Sequence, residues 1–440
     1  ATCSNSSTNG VHSNRRFDES NGPFCASEAV VMTDSSSIAS PLQMPLSTLA
    51  EFDYQPRVRL IFGSGSSMRA GHLARDEGAR RVLLVTDPGI VAAGHAGRIQ
   101  GYLEAAGLTV TVFDQSDENP TTGTIARCVE AGRREKFDFI IAVGGGSSMD
   151  TAKGANFILT NGGEIRDYWG WNKAAKPMLP FIAIPTTAGT GSECQCYALI
   201  AEENTHAKMA CGDPKAAARL AILDPELTLS QPRSVTAFAG IDTITHAVES
   251  AVTKKRNALS HMYSHEAFML AMASFPQVLQ SPEDLEARSR MQLAAAFAGI
   301  AIVNSMLGAA HSAANPLTAH YNLAHGLAVG MMLPHVIRYN AEDPKARRAY
   351  AELASAPELA CVSEGEDYAV EVLVRHIEAL LDLAQYPKSL ADCGLKKSDI
   401  PTLADEAARQ WTATFNPRPI TAEGFRQLYS AALEPRTARE

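Results

Sequence analysis

The sequence predicts a parallel, doubly wound α/β unit followed by an all-α unit, and two observations carry that expectation. Over residues 51–229, short apolar runs alternate with longer amphipathic stretches, the rhythm of strands joined by crossover helices. Beyond residue 229 that rhythm stops. Only 8 of the 31 glycines lie there, and long Ala/Leu/Glu/Arg stretches replace the short runs, as in a helical domain.

Taken in order, the first 42 residues are rich in Ser and Asn and poor in large apolar side chains. Such a segment cannot bury enough surface to offset its chain entropy, so residues 1–50 are expected to be a disordered extension. Arg15 and Arg16 hint at a transit peptide, but Asp18, Glu19, Glu28 and Asp34 speak against one. An extension read from upstream of a start near Met32 or Met44 is the simpler expectation.

RVLLVTD (81–87), LTVTVFD (108–114), DFIIAVGGG (138–146) and LPFIAIPTT (179–187) each have the length and apolar character of a buried strand. The stretches 92–106 and 121–135 have helical periodicity. A composition change at DPELTLSQP (224–232), with its two prolines, places the boundary between a domain at 51–229 and one at 230–440. Residues 264–274 and 283–301 are representative helices of the second domain.

The formal net charge of −9 argues against nucleic acid or anionic membrane as the main partner and favours a small-molecule substrate. No run of about 18 apolar residues suggests a membrane span. Eight cysteines at 3, 25, 128, 194, 196, 211, 361 and 393 include no CxxC, so they read as reduced thiols of a cytoplasmic protein. Cys194 and Cys196 are expected on one side of a strand, as buried thiols.

Three loops at predicted strand ends point to a nucleotide. In GGGSSMDTAK, Gly144, Gly145 and Gly146 let a ligand approach the backbone, and Ser147 and Ser148 with the first helical N–H groups offer an anion site. Asp87 at the end of RVLLVTD is placed to bind ribose hydroxyls and to repel a 2′-phosphate, although Asp-Pro-Gly is also a common turn. PTTAGTGSE (185–193) is the third loop. The variant GSGSS (63–67) lacks the third glycine of a dinucleotide fingerprint.

Four potential metal ligands lie in the helical half. Asp242 and His246 in GIDTITHAVES stand four apart, on one helix face, and His311 and His325 flank ANPLTAHYNLA. One carboxylate and three imidazoles suit a divalent transition metal. Singly, each has a plainer role, Asp242 as a helix cap and the histidines as core residues.

These motifs together resemble the iron-containing (group III) alcohol dehydrogenases. GGGSSMDTAK, PTTAGTGSE, KMACGDPKAAARLAILDPELT, GIDTITHAVES and HSAANPLTAHYNLAHGLAVGMMLPHVIRYN follow in that family's order, and the likeness runs from about Val58 to the C-terminus. The resemblance implies a Rossmann-like N-terminal domain, a helical C-terminal domain of the dehydroquinate synthase-like fold, and a cleft between them for NAD(P) and a metal. It also implies that Asp242, His246, His311 and His325 bind the metal and that Gly144, Gly145, Gly146 and Ser147 hold the pyrophosphate. Thr186, Thr187, Asn119 and Lys208 are then further cofactor contacts, and Asp87 favours NAD over NADP. A homo-oligomer is implied as well.

The chain departs from the family at Asn315, where many relatives carry a second histidine thought to assist proton transfer, and at Gln195, where they usually carry Ser or Thr. A water chain through the NAD ribose hydroxyls, or a titrating group such as His320 or His261, would then replace the missing relay, unless Asn315 only reshapes the pocket.

The expected function is hydride transfer between an alcohol and NAD(P) with Fe²⁺ or Zn²⁺, on a small alcohol or aldehyde. Two rivals stand beside it. One is a reductase of a carboxylated or phosphorylated carbonyl, for which Lys254, Lys255 and Arg256 are candidate anchors. The other is a non-catalytic nucleotide-binding protein.

Overall fold

A computed structural model describes residues 50–203 and 207–436. The extension 1–50, its possible transit signal and the two candidate start methionines lie, but for Ala50, outside the described residues.

The first half alternates strand and helix as expected. β1 (Arg59–Phe62), α1 (Ala70–Asp76), β2 (Arg81–Val85), α2 (Pro88–Ala92), α3 (His95–Ala105) and β3 (Thr109–Phe113) are followed by α4 (Thr122–Arg133), β4 (Phe139–Gly144) and α5 (Gly146–Asn161). Then come β5 (Gly170–Trp171), β6 (Phe181–Pro185), β7 (Tyr197–Ala201), β8 (Lys208–Gly212) and β9 (Leu220–Leu223). Six strands form a parallel sheet in the order β1-β9-β6-β4-β2-β3.

The four strands read from sequence are β2, β3, β4 and β6. Their continuous apolar runs follow from cover on both faces. Alternate residues of β4 show it: Phe139, Ile141 and Val143 pack with Ile99 and Leu103 of α3, while Ile140 and Ala142 pack with Ile125 of α4 and Met149 of α5. Chain order reverses between β2 and β4, and the crevice at their carboxyl ends is where open α/β sheets bind ligands.

A second sheet, β5-β8-β7, was not legible from the pattern of apolar runs. Ala198 and Ile200 of β7 with Met209 and Cys211 of β8 pack into the core under α5, and the opposite face is open to a cavity. The strand expected to carry Cys194 begins later than predicted. Cys194 ends a short 3₁₀ helix, Ser192–Cys194, and only Cys196 abuts β7, both thiols being buried.

From Arg233 onward the described residues are helical: α6 (Arg233–Ser250), α7 (Ala258–Gln280), α8 (Leu285–Ser305), α9 (Ala309–Tyr321), α10 (His325–Asn340) and α11 (Pro344–Ser355). α12 (Glu366–Leu383), α13 (Ile400–Ala408) and α14 (Ala422–Leu433) complete the set. One continuous core runs through this half, from Ile241 on α6 to Tyr429 on α14. Among the described residues, no single helix is long and apolar enough to cross a membrane.

Candidate metal and nucleotide centre

A cavity of about 700 Å³ runs from the carboxyl ends of β2 and β4 to α6, α9 and α10. Asp87, Asn119, Gly145, Gly146, Ser147, Thr186, Thr187, Lys208, Asp242, His246, His311 and His325 all line it. Gly144 stands behind the lining and supplies the turn, with a left-handed φ of 151°.

The nucleotide end is built by local chain geometry. α5 begins at Gly146, and a Cβ there would come within 2.8 Å of Thr190, so the loop leaves space that any side chain would fill. Free N–H groups at the start of a 16-residue helix make this a site for anionic oxygen. Asn119 adopts φ 52°, and its N–H reaches Ser147 Oγ at 3.4 Å.

The Asp87 carboxylate takes the turn-capping role and also borders the cavity. Oδ1 caps α2 by accepting from Ile90 N at 3.1 Å, and Oδ2 accepts from Ser148 Oγ at 2.9 Å, while the side chain still faces the cavity. By contrast, the Gly65 and Ser67 amides of GSGSS donate to Asp224 at 3.0 Å each. That turn is a capped loop end.

Two charged residues of α5 were overlooked in the sequence. Lys153 is buried, and its ammonium donates to Ser192 O at 2.6 Å, Ser192 Oγ at 2.8 Å and Tyr197 O at 3.1 Å. Asp150 accepts from Ser192 Oγ at 3.0 Å and Leu199 N at 3.2 Å. The pair therefore ties the PTTAGTGSE loop and β7 to the nucleotide helix. Burial pushes the lysine down and the aspartate up, each opposed by the other's charge. Their spacing of three on one helix face was the available signal.

At the other end, Asp242, His311 and His325 present donor atoms that all lie within 4.8 Å of one another. Asp242 Oδ1 is 3.4 Å from His246 Nε2, 3.6 Å from His311 Nε2 and 3.9 Å from His325 Nε2. His246 stands at the edge of the three-residue set, its ring stacked on His311 with centroids 4.8 Å apart.

These separations exceed a hydrogen bond but match the spacing of ligands around one ion, about 3.4 Å for tetrahedral bonds near 2.1 Å. Asp242 Oδ1 and His311 Nε2 are buried without a hydrogen-bond partner among the described residues. A shared cation would satisfy both, so the donor set fits a divalent metal.

Glu249 supports this set and was missed in the sequence, although it lies in GIDTITHAVES. Its carboxylate accepts from His311 Nδ1 at 2.7 Å and from the Gly308 and Ala310 amides at 3.0 and 2.7 Å. A Glu249 acceptor at Nδ1 directs the Nε2 lone pair of His311 toward Asp242. The signal was its place one further turn along the face of Asp242 and His246.

The electrostatics fit the same picture. Burial works against the Asp242 carboxylate, but His246, His311 and His325 outweigh it and hold the group well below the usual range. Burial opposes protonation of His311, yet the neighbouring carboxylates of Asp242 and Glu249 raise it to about 9, so a cation at Nε2 binds in competition with a proton. Burial pushes His246 and His325 down, keeping their rings neutral and available as donors.

The proposed proton-relay substitutes are elsewhere. His320 pairs with Glu406 at 2.8 Å, and the His261 ring lies tilted against that of His265; neither lines the cavity. Asn315 does line it, and its Nδ2 donates to Gln410 Oε1 at 3.0 Å. Gln195, the other departure, also faces the cavity and donates to Thr190 O at 2.8 Å. Lys254, Lys255 and Arg256 do not reach the cavity lining.

Comparison with known proteins agrees with this architecture. Residues 56–225 match the family described as iron-containing alcohol dehydrogenase, and residues 236–433 match the Fe-containing alcohol dehydrogenase family, C-terminal. The chain is 34% identical to alcohol dehydrogenase 4 of Schizosaccharomyces pombe, over 85% of this chain and 87% of the relative. It is 32% identical to the NAD-dependent methanol dehydrogenase of Bacillus methanolicus, over 85% and 97%. A solved 1,3-propanediol oxidoreductase superposes with a TM-score of 0.83 at 31% identity, covering 87% of this chain and all of that one. The chain belongs to the iron-containing alcohol dehydrogenase family, oxidoreductases acting on the CH–OH group.

Proposed function

We propose that this protein is a metal-dependent alcohol dehydrogenase and aldehyde reductase that transfers hydride between an alcohol carbon and the nicotinamide of NAD, with NADP the weaker cofactor. The observation that carries this reading is one cavity lined at one end by the start of α5 and at the other by Asp242, His311 and His325. Asp242, His311 and His325 would hold the metal, with His246 as fourth donor. A bound Fe²⁺ or Zn²⁺ supplies Lewis acidity, which lowers the pKa of an alcohol hydroxyl or polarises a carbonyl.

The remaining work falls to the protein's own groups. Glu249 fixes the tautomer of His311. The amides of Gly145, Gly146 and Ser147 at the start of α5 bind the pyrophosphate, and Asp87 accepts from the ribose hydroxyls. Thr186, Thr187 and Asn119 border the cofactor. Lys208, whose charge burial disfavours and Asp150 and Asp242 favour, donates between the two ends.

The lining argues against a carboxylated or phosphorylated substrate, because Lys208 is its one Lys or Arg among the described residues. We further place the domain boundary at 229/230, between the last strand and α6, and infer a cytoplasmic homo-oligomer acting on a small neutral alcohol or aldehyde. Neither nucleic acid nor a membrane is a partner on this reading, which the net charge of −9 supports.

The test is metal analysis of fresh protein, then Fe²⁺ or Zn²⁺ reconstitution of the chelated protein with NAD(H)- and NADP(H)-linked assays. Metal-restored turnover with NAD(H) is expected. Full activity of a metal-free protein would overturn the proposal.

A further inference from the structure

The substrate end of the cavity has a wall that the reaction itself does not need. Alternate residues Tyr197 and Leu199 of β7 and Ala210 of β8 face it, as the period-2 alternation of a strand requires, and Leu307 and Trp411 close it from the helical side. Tyr197 lies between two tryptophans, 5.4 Å from Trp171 and 5.7 Å from Trp411 by ring centroid, the latter pair stacked at 29°.

This row is built into the backbone. Trp171, Gly212 and Tyr197 are register partners across β5, β8 and β7. A Cβ on Gly212 would fall 2.3 Å from the Tyr197 ring and 2.8 Å from that of Trp171, so the glycine lets both rings lie flat across the sheet. Trp411 is held from the metal side: Thr412 Oγ1 and Ser312 Oγ are 2.7 Å apart, and Asn315 bonds Gln410. Ser312 follows His311 directly in the chain, so the Trp411 ring is anchored to the helix that carries a metal-ligand candidate.

The rings themselves offer few polar anchors, those of the cavity, Lys208, Gln195 and Asn315, standing beside them. The Tyr197 hydroxyl reaches the Met306 thioether at 4.0 Å, a weak acceptor, and Met306 itself holds a left-handed φ of 70° just before Leu307. Tyr197 and Trp411 line the cavity, the latter 37% exposed, while Trp171 backs Tyr197 from outside the lining.

Resting on the proposed dehydrogenase reading, we infer that the Tyr197–Trp411 pair, with Trp171 backing Tyr197, selects neutral alcohols and aldehydes bearing an aromatic or extended apolar substituent over small polyols. A planar apolar group stacks on these rings, whereas a polyol gains nothing from the ring faces themselves. Asn315 is on this account a positioning residue for the segment that carries Trp411.

The experiment compares benzyl alcohol, ethanol and glycerol in the metal-loaded enzyme with NAD. The benzyl-to-ethanol ratio of kcat/KM should exceed about tenfold and should fall by about tenfold or more in Trp411→Ala, mainly through KM. Trp411→Leu serves if the alanine variant does not fold. Trp169→Phe, which alters a tryptophan outside the row, should leave the ratio in place. An unchanged ratio in a folded Trp411 variant, or a wild-type preference for glycerol, would overturn the inference.

A second readout separates this from failure of the dehydrogenase reading. All three tryptophans of the chain are 169, 171 and 411, so benzyl alcohol should quench intrinsic fluorescence saturably, and Trp411→Ala should weaken that quenching. Saturable quenching without turnover on any alcohol would sink the dehydrogenase reading and keep the wall as a binding site. Absence of quenching sinks the wall.

Discussion

At the scale of single residues, Glu249 and Asn315 show how far a side chain's role depends on what faces it. Glu249 accepts from a ligand candidate and from two amides at the start of α9. Glu249→Gln keeps the shape but weakens these bonds, and metal affinity is expected to fall about 10- to 100-fold, read by metal titration of the apoprotein. Asp87→Gly should narrow or reverse the preference for NAD over NADP in steady-state kinetics. Because Asp87 also caps α2, the same variant should lose about 1 kcal/mol of stability in denaturant unfolding. At position 315, histidine would replace the amide that donates to Gln410 with a bulkier ring. Asn315→His is therefore expected to shift substrate preference, and a new ionisation in the pH profile of turnover near the imidazole pKa would instead reveal a vacant relay position.

At the scale of elements, the small sheet and the loop before it are the parts whose packing the site depends on. Gly212→Ala drives a methyl group into the rings of Tyr197 and Trp171, a case of overpacking expected to cost about 1–3 kcal/mol and to alter tryptophan fluorescence. Glu193, in the PTTAGTGSE loop, is buried to 2% exposure, and desolvation raises its carboxyl to about 7. A raised acid binds its proton more tightly when folded, so stability from this group is present below the unfolded pKa near 4.5 and is lost as pH rises through about 7. Glu193→Gln removes that loss. Relative to the parent, the variant should gain up to about 3 kcal/mol between pH 4.5 and pH 8 in chemical unfolding. An identical pH dependence in the two proteins would contradict the buried acid.

At the scale of the whole molecule, the helical core supplies the proposed metal ligands from three helices. Asp242 and His246 come from α6, His311 from α9 and His325 from the first residue of α10. A ligand bound only by the folded state stabilises by mass action, so Zn²⁺ or Fe²⁺ at a hundredfold over its dissociation constant should add about 2.7 kcal/mol. Chelation should lower the thermal midpoint, and His311→Ala should abolish that dependence on metal. NADH binding should survive in His311→Ala, since the nucleotide loop belongs to the α/β half.

The sequence by itself determined the strands β2, β3, β4 and β6 and the change to helices after Leu223, because apolar periodicity reports burial locally. It also marked the glycine loop and Asp242, His246, His311 and His325, whose residue types are costly to bury without a chemical purpose. Only the tertiary structure decided what these residues share. His311 and Glu249 are 62 positions apart and bond at 2.7 Å, and Lys153 reaches Ser192 across 39 positions. Tyr197, Gly212 and Trp171 form a row through a three-stranded sheet whose strands are too short, and too mixed on their open face, to show a pattern. Side-chain periodicity along one segment carries no information about which distant segment will face it, and that pairing is set by how the layers pack.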